Sequence, residues 1–458
     1  MTDSEAALNF IIVGASIAGL ASAIALKASG HNVLVLERES QLGGTVPGAA
    51  HVPPNGCKVL FDWGLEAQIR ANAAVSVGFA VYKYDGGKAP ERDFIGVNHW
   101  SSEMLDEARG EFVQFRLQDL LRILYDEGMK PSQEPPNSRV TVLFGAEVVK
   151  VDCVNYSVTL RSGDIHRGDA IIGADGARGV VRRTLLQETG VDPDSCDVPT
   201  GLALYRTVIP RTLAIQHPDL ASFYESPANT LELGSNRGAI TSSVGTEGDI
   251  MLWVYTPSAI GTSMQEPDAK LTDVLGSCDP QIEKLAALAA PATCVQIYDR
   301  HELYSWVSES GRVLVLGDAA HPFPPGSLHT SSIAIEDGAF IGKIFSHTRN
   351  PDRIPEFMNA FEEHRRDRCY RIREVEKDNI SGLITLPDGE LQMVRDAAMR
   401  ANTAAGRNVM DPNPNSEGSN LQQIIGGTRM IFSYDPVDDA EEWWMSWGRL
   451  RGFAEQDA

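Results

Sequence analysis

Four apolar residues, Phe10-Ile11-Ile12-Val13, end abruptly at Gly14, where Gly14-Ala15-Ser16-Ile17-Ala18-Gly19 opens a run of small residues. A second apolar run, Val33-Leu34-Val35-Leu36, closes on Glu37-Arg38. Short continuous apolar runs predict strands buried on both faces, and the small residues between them predict a helix packed closely on a sheet. The unit is a strand, a tight turn, a helix and a parallel strand. Val52-Pro53-Pro54-Asn55 predicts an extended lead into a helix through Trp63, with Asn55 as its cap. Leucines at 117, 120, 121 and 124 predict a helix with one apolar face that ends at Gly128.

Three β-patterned segments from Val140 to Leu160 predict a meander, and Ala170-Ile171-Ile172 predicts a buried strand entering Gly173-Ala174-Asp175-Gly176. The pattern changes between about 181 and 295. Alternating segments such as Leu202–Val208, Gly238–Val244 and Met251–Tyr255 predict an antiparallel sheet with one face free to cover something, followed by a helix near Leu271–Leu288. The buried style returns at Val313-Leu314-Val315-Leu316, before Gly317-Asp318-Ala319-Ala320-His321-Pro322-Phe323-Pro324-Pro325-Gly326 and a helix through Ile333–Phe345. Long helices are expected to about Ala405, with the charged stretch Glu362–Lys377 facing solvent. A loop follows from Asp411 to Ser416, then a tail whose Trp443, Trp444 and Trp447 are expected to pack on the body.

The fold class is therefore α/β. A Rossmann-like dinucleotide-binding domain spans 1–180 and resumes with helices over 296–400. An antiparallel β-sheet substrate domain is inserted at 181–295, and 401–458 forms a C-terminal tail packed on the body. The length of 458 residues suits such an assembly, and a composition of 43% hydrophobic and 22% charged residues is that of a globular protein. A net charge of −22 repels a phosphate backbone, so nucleic acid is not an expected partner. No stretch has the length and apolarity of a membrane span. Six dispersed cysteines without a C-x-x-C pair argue against zinc and against a disulfide framework, so no metal and a cytoplasmic setting are expected.

The first unit carries candidate chemistry. Its first glycine permits the tight turn, its last allows close helix packing, and a pyrophosphate would sit on the free N–H groups at the helix start. Ser16 stands where the usual pattern has a second glycine, and Glu37 is placed to bind ribose hydroxyls. Asp318 and the start of the helix after it are placed to hold ribityl hydroxyls and a ring carbonyl.

Together these motifs resemble the single-component FAD-dependent aromatic hydroxylases of the salicylate and para-hydroxybenzoate hydroxylase type, over roughly residues 8 to 400. The resemblance rests on Gly14-x-Ser16-x-x-Gly19 with Glu37-Arg38, Arg116 ahead of its leucine helix, Gly173-Ala174-Asp175-Gly176, and Asp299-Arg300 through Gly317-Asp318-Ala319-Ala320-His321-Pro322. It implies noncovalent FAD held by Gly14, Ser16, Gly19, Glu37, Arg38, Arg116, Asp175, Asp318, Ala320 and Gly326, with Thr330 and Ser331 at the flavin pyrimidine. His329-Thr330 departs from the family's usual Gln-Gly at that point.

The implied activity is a monooxygenase reaction. NADH or NADPH reduces the flavin, O₂ adds to it, and the resulting hydroperoxide hydroxylates a phenolic or aromatic-acid substrate, with or without decarboxylation. Pro325 would line the oxygen-activating face. His51 or Arg206 is the candidate base or cation for the substrate, and Tyr205, Tyr224, Trp253 and Tyr255 are candidate walls; each of these residues can equally serve packing or the surface. An epoxidase or oxygenase of a prenylated or indole metabolite is the alternative on the same fold. The expected partners are a small aromatic substrate, NAD(P)H and O₂, in a monomer or homodimer.

Overall fold

The computed structural model describes residues 6–43, 48–86, 92–131, 138–258, 265–290, 292–412 and 429–449, and the side chains of 265–268 are not considered. Part of the glycine-rich loop after Arg38 and most of the loop expected at Asp411–Ser416 lie outside them.

A five-stranded sheet carries the first domain. Its strands run Val313–Val315, Ala170–Gly173, Asn9–Val13, Asn32–Leu36 and Val140–Leu143 across the sheet, all parallel. Helix Ile17–Ala28 returns the chain from the third of these to the fourth, and Thr330–Phe345 packs against that helix through its own small residues. Ile11, Ile12, Val35, Ile171 and Leu314 are buried, as a sheet covered on both faces requires.

Val140–Leu143 joins this parallel sheet beside Asn32–Leu36, which corrects the expected meander. The separate antiparallel sheet is instead Val148–Asp152, Ser157–Leu160 and Ile165–Arg167. The helix Leu117–Met129 that precedes Val140 explains the difference, since a crossover helix delivers a parallel strand and not a hairpin.

The second sheet has eight strands, ordered Gln265–Ala269, Ala292–Asp299, Val198–Ile209, Asp249–Pro257, Gly238–Val244, Asn229–Leu233, Gly78–Lys83 and Phe94–His99. Its last two strands precede residue 181, and Gly78–Lys83 pairs parallel to Asn229–Leu233, so the sheet is neither confined to 181–295 nor wholly antiparallel. Alternation sets its two faces. Ile250, Leu252 and Val254 pack under the short helices on one side, while Met251, Trp253 and Tyr255 face the first domain with Leu204 and Ile240.

Helix Ile354–Asp378 has the expected solvated face, at Glu363, Asp367, Arg371 and Glu374, but its other face is buried. Phe357, Phe361, Arg365, Cys369, Ile372 and Glu376 recur at spacings of three and four residues and are all buried, two charged groups among them. Asn55 lies inside helix Pro54–Asp62, not at its cap, and donates to Glu336 Oε1 at 2.6 Å. In the tail Trp443 is buried and Trp444 stacks on His347, but Trp447 is 62% exposed. No described helix is long and apolar enough to cross a membrane.

Candidate active site

The turn after the first strand is shaped by close backbone contact. Gly14 has φ +103°, and a Cβ there would lie 2.6 Å from the Ala174 carbonyl oxygen; a Cβ on Gly19 would lie 2.1 Å from the Gly14 oxygen. Ser16 replaces the middle glycine with a useful side chain, because its Oγ accepts from Gly19 N at 3.2 Å, capping the helix, and donates to Ala174 O at 3.0 Å. Glu37 reaches back so that Oε2 accepts from Ala15 N at 2.7 Å. Arg38 is exposed and, among the described residues, pairs with Glu39.

The second turn, at Gly317-Asp318-Ala319-Ala320, meets the first: a Cβ on Gly317 would lie 2.8 Å from Ala18 Cβ. Asp318 is exposed on the second turn, and the protein packed around it raises its carboxyl pKa. Among the described residues it accepts one hydrogen bond, a long one at 3.4 Å from Phe323 N. The turn itself is anchored from beneath. Asp337 Oδ2 accepts from Gly317 N at 2.9 Å and from His321 Nε2 at 2.7 Å, and Asp337 Oδ1 accepts from Arg365 Nε at 2.9 Å. Glu336 joins Arg365 at 2.8 Å and Arg368 at 2.7 Å. Arg182, also buried, donates to the carbonyls of Ala319 at 2.9 Å and Ala320 at 3.3 Å. His321, Asp337 and Cys369 converge closely, but Arg365 already supplies the cation there.

Asp175 lies against the first turn, its Cα 3.1 Å from where a Cβ on Gly14 would be. Its Oδ2 accepts from Val181 N at 3.1 Å, capping the following helix, and burial raises its carboxyl pKa to about 6. Its buried Oδ1 has no hydrogen-bond partner among the described residues. Arg116 is committed elsewhere: its guanidinium reaches Asp249 at 2.7 Å and Glu247 at 2.7 Å, tying the leucine helix to the second sheet. Those carboxylates sit on a hairpin far along the chain, so no local signal announced them. Thr330 and Ser331 begin helix Thr330–Phe345, their expected position.

On the second sheet the candidates divide by strand alternation. Arg206 shares a face with Leu204 and pairs across the strand with Trp253, whose indole meets the His51 ring edge-on at 5.0 Å. Arg206 Nε is buried without a hydrogen-bond partner, no carboxylate among the described residues pairs with the guanidinium, and burial pushes its pKa down. His51 is fully enclosed, Nε2 lies 3.0 Å from Ser242 Oγ, and burial lowers its pKa to about 4. Such an imidazole is neutral, and its buried Nδ1 has no hydrogen-bond partner among the described residues. Tyr255 donates to Gly326 O at 3.1 Å and so pins the proline loop from the sheet. Tyr205 and Tyr224 pack with the opposite face, away from the site, which corrects both as substrate walls.

Beside Gly326 opens a cavity of about 310 Å³. Phe79, Trp100, Phe112, Leu231, Ile240 and Phe432 make it largely apolar, and Trp100 stacks on Phe112 with ring centroids 5.2 Å apart. Its charged lining among the described residues is Glu103, Glu376, Asp411 and Arg429, and Arg429 is ion-paired with Glu107. Trp253, Tyr255, Arg206 and His51 are not on this lining.

His329 and Glu376 were missed as a pair. His329 Nδ1 lies 2.6 Å from Glu376 Oε1, which also accepts from His329 N at 2.8 Å. The buried stripe of helix Ile354–Asp378 was the available signal for Glu376, since a charged residue on such a stripe needs a partner. Arg182 and the Asp337 network left no comparable trace.

These two turns fit FAD. The glycines leave room for backbone approach to a pyrophosphate, Glu37 closes the strand where a ribose would lie, and Asp318 offers a solvent-facing carboxylate at the second turn. Comparison with known proteins agrees. Residues 7–375 match the family described as FAD binding domain. The FAD-dependent monooxygenase OpS4 of Beauveria bassiana (strain ARSEF 2860) is 27% identical over 399 residues, 86% of this chain and 89% of that protein. The crystal structure of CtdE in complex with FAD and a substrate superposes with a TM-score of 0.73 at 18% identity, covering 97% of this chain and 100% of that one. A salicylate hydroxylase substrate complex gives 0.67 at 16% identity, over 96% and 98% of the two chains. The chain thus belongs to the FAD-binding domain family and, with its relatives, to the FAD-dependent monooxygenases.

Proposed function

We propose that this enzyme hydroxylates a neutral, electron-rich aromatic alcohol in the cavity beside Gly326, taking electrons from NADH or NADPH and oxygen from O₂. The observation that carries this reading is the lining: aromatic walls, three carboxylates, and one arginine that is already ion-paired. Such a lining repels an aromatic acid, because like charges in a poorly solvated cavity interact more strongly than in water. FAD, when bound, supplies the oxygen-activating chemistry.

The chain's own residues do the rest. Gly14, Ser16, Gly19 and Glu37 would hold the adenosine and pyrophosphate, and Asp318 with the start of helix Thr330–Phe345 would hold the ribityl chain and ring. The loop around Pro325 is stiffened by Tyr255 on Gly326 O and by Ser327 Oγ, which donates to Pro324 O at 2.7 Å. A fixed apolar wall there excludes water from the reacting atoms. Arg206, with no carboxylate partner among the described residues on the sheet face toward this loop, is assigned to an anionic group of the bound cofactor.

The test is a panel of phenols, phenolic acids, indoles and prenylated phenols, scored for stimulated NAD(P)H oxidation and for product mass. Neutral phenols should stimulate oxidation and gain one oxygen atom. Stimulation by phenolic acids alone would overturn the assignment.

A further inference from the structure

We propose that His329 is the catalytic proton acceptor for the substrate hydroxyl and that Glu376 is its positioning residue. The proposal rests on the hydroxylase reading and gives the cavity its polar specificity. His329 lines the cavity, is 7% exposed, and leaves Nε2 buried without a hydrogen-bond partner among the described residues. A buried nitrogen in an aromatic cavity is costly unless something binds it.

Glu376 decides what that something is. Its carboxylate, 2.6 Å from Nδ1, accepts a proton carried there, and in the neutral imidazole this leaves the lone pair on Nε2. The free position therefore takes a donor, which in an apolar cavity is a hydroxyl on the ligand. Glu376 Oε1 also holds the His329 backbone N–H, so ring and loop are fixed together. In the step itself the substrate O–H bond breaks and the electron pair stays on oxygen. The proton bonds to Nε2, and the resulting imidazolium lies between Glu376 and the new phenolate. The aromatic ring gains electron density for attack on oxygen, and the proton returns to the product oxygen afterwards. Opposite charges on both sides of the imidazolium offset its burial.

The other titratable groups around the cavity are few. Glu376 comes from helix Ile354–Asp378, His99 and Glu103 from the Phe94–His99 strand and the helix after it, and Asp411 and Arg429 from the C-terminal part. Tyr255 lies behind the loop with its hydroxyl committed to Gly326 O and its pKa raised by burial. Arg429 is bound to Glu107, and Asp411 Oδ2 accepts from Asn408 N at 3.0 Å. His99 and Glu103 are exposed, whereas Nε2 of His329 is buried and unpartnered.

The experiment uses 4-nitrophenol and its methyl ether, 4-nitroanisole, with holoenzyme and no reductant, so it does not depend on turnover. The phenolate absorption band reports ionisation of the bound phenol across pH. In the parent protein bound 4-nitrophenol should ionise at lower pH than the free probe. In H329A and H329Q its acidity constant should fall by about tenfold or more, the scale of one lost charge-assisted hydrogen bond. E376Q should fall between. Affinity for 4-nitroanisole, which has no proton to give, should stay within about twofold in all variants. The proposal is overturned if H329A and H329Q keep the parent phenolate fraction, or if both probes weaken by the same factor with a shifted flavin spectrum, which would make His329 a packing or flavin-seating group. Absence of oxygenated product from every phenol, with the ionisation result intact, would instead sink the hydroxylase reading alone.

Discussion

Replacing Asp337 by asparagine tests whether the buried ion network holds the Gly317-Asp318 turn in place. Asp337 accepts from Gly317 N, His321 Nε2 and Arg365 Nε, and both Asp337 and Arg365 are fully buried. Removing one partner of a buried ion pair costs about 3–5 kcal/mol because the remaining charge is left uncompensated. Glu336 still pairs with Arg365, and His321 can release its proton, so the loss should sit at the lower end, about 3 kcal/mol. The loosened turn should also weaken FAD binding by about tenfold. Burial opposes a charge on His321, yet Cys369 and Asp337 beside it outweigh that and raise its pKa well above 6.5. His321 therefore contributes stability that is complete below about pH 6.5 and is lost as pH rises toward its folded pKa. Urea midpoints of parent and D337N at pH 6 to 10, with FAD dissociation followed by flavin fluorescence, measure both effects. The parent should lose stability on the alkaline side and D337N should be flat there. Equal midpoints, or parallel decline with pH, would refute the argument.

Other outcomes follow from the same geometry. Asp318→Ala should weaken FAD by about tenfold or more while leaving the urea midpoint of FAD-stripped protein nearly unchanged, since its carboxylate makes only one long internal bond; tight FAD retention would reassign the turn. Arg206→Ala should weaken FAD binding by about tenfold, with Arg206→Lys between the two; unchanged FAD retention would leave Arg206 as a buried charge without a ligand. Burial lowers the pKa of His31 and of His51 to about 4, so below about pH 6.5 the unfolded chain binds protons the native state refuses. Stability should fall as pH drops from about 6.5 toward 4, by up to about 3 kcal/mol for each histidine. His51→Gln should remove half of that acid sensitivity, and a midpoint independent of pH in this range would count against the buried neutral assignment.

What the sequence determined by itself is the chemistry written within short stretches. Gly14 to Glu37 is one contiguous unit, so its turn, helix and parallel strand were legible from spacing, and the strand and turn at Val313–Asp318 were legible for the same reason. Period-two alternation also placed Arg206 and Trp253 on strands of the second sheet, but it did not say which face each took, and Tyr205, one residue from Arg206, fell on the wrong one. The tertiary structure decided everything that depends on residues distant in the chain. Val140–Leu143 joined the parallel sheet because a crossover helix precedes it, and strands from before residue 100 completed the second sheet. Glu376 meets His329 across 47 residues. Arg116 found its carboxylates across 133 and 131 residues. Local propensity constrains only neighbours in sequence. Whether a distant carboxylate pairs with a cation, caps a helix or faces a cavity is settled by how the sheets and helices bury one another, and that is where the Asp337 network and the His329–Glu376 pair were made.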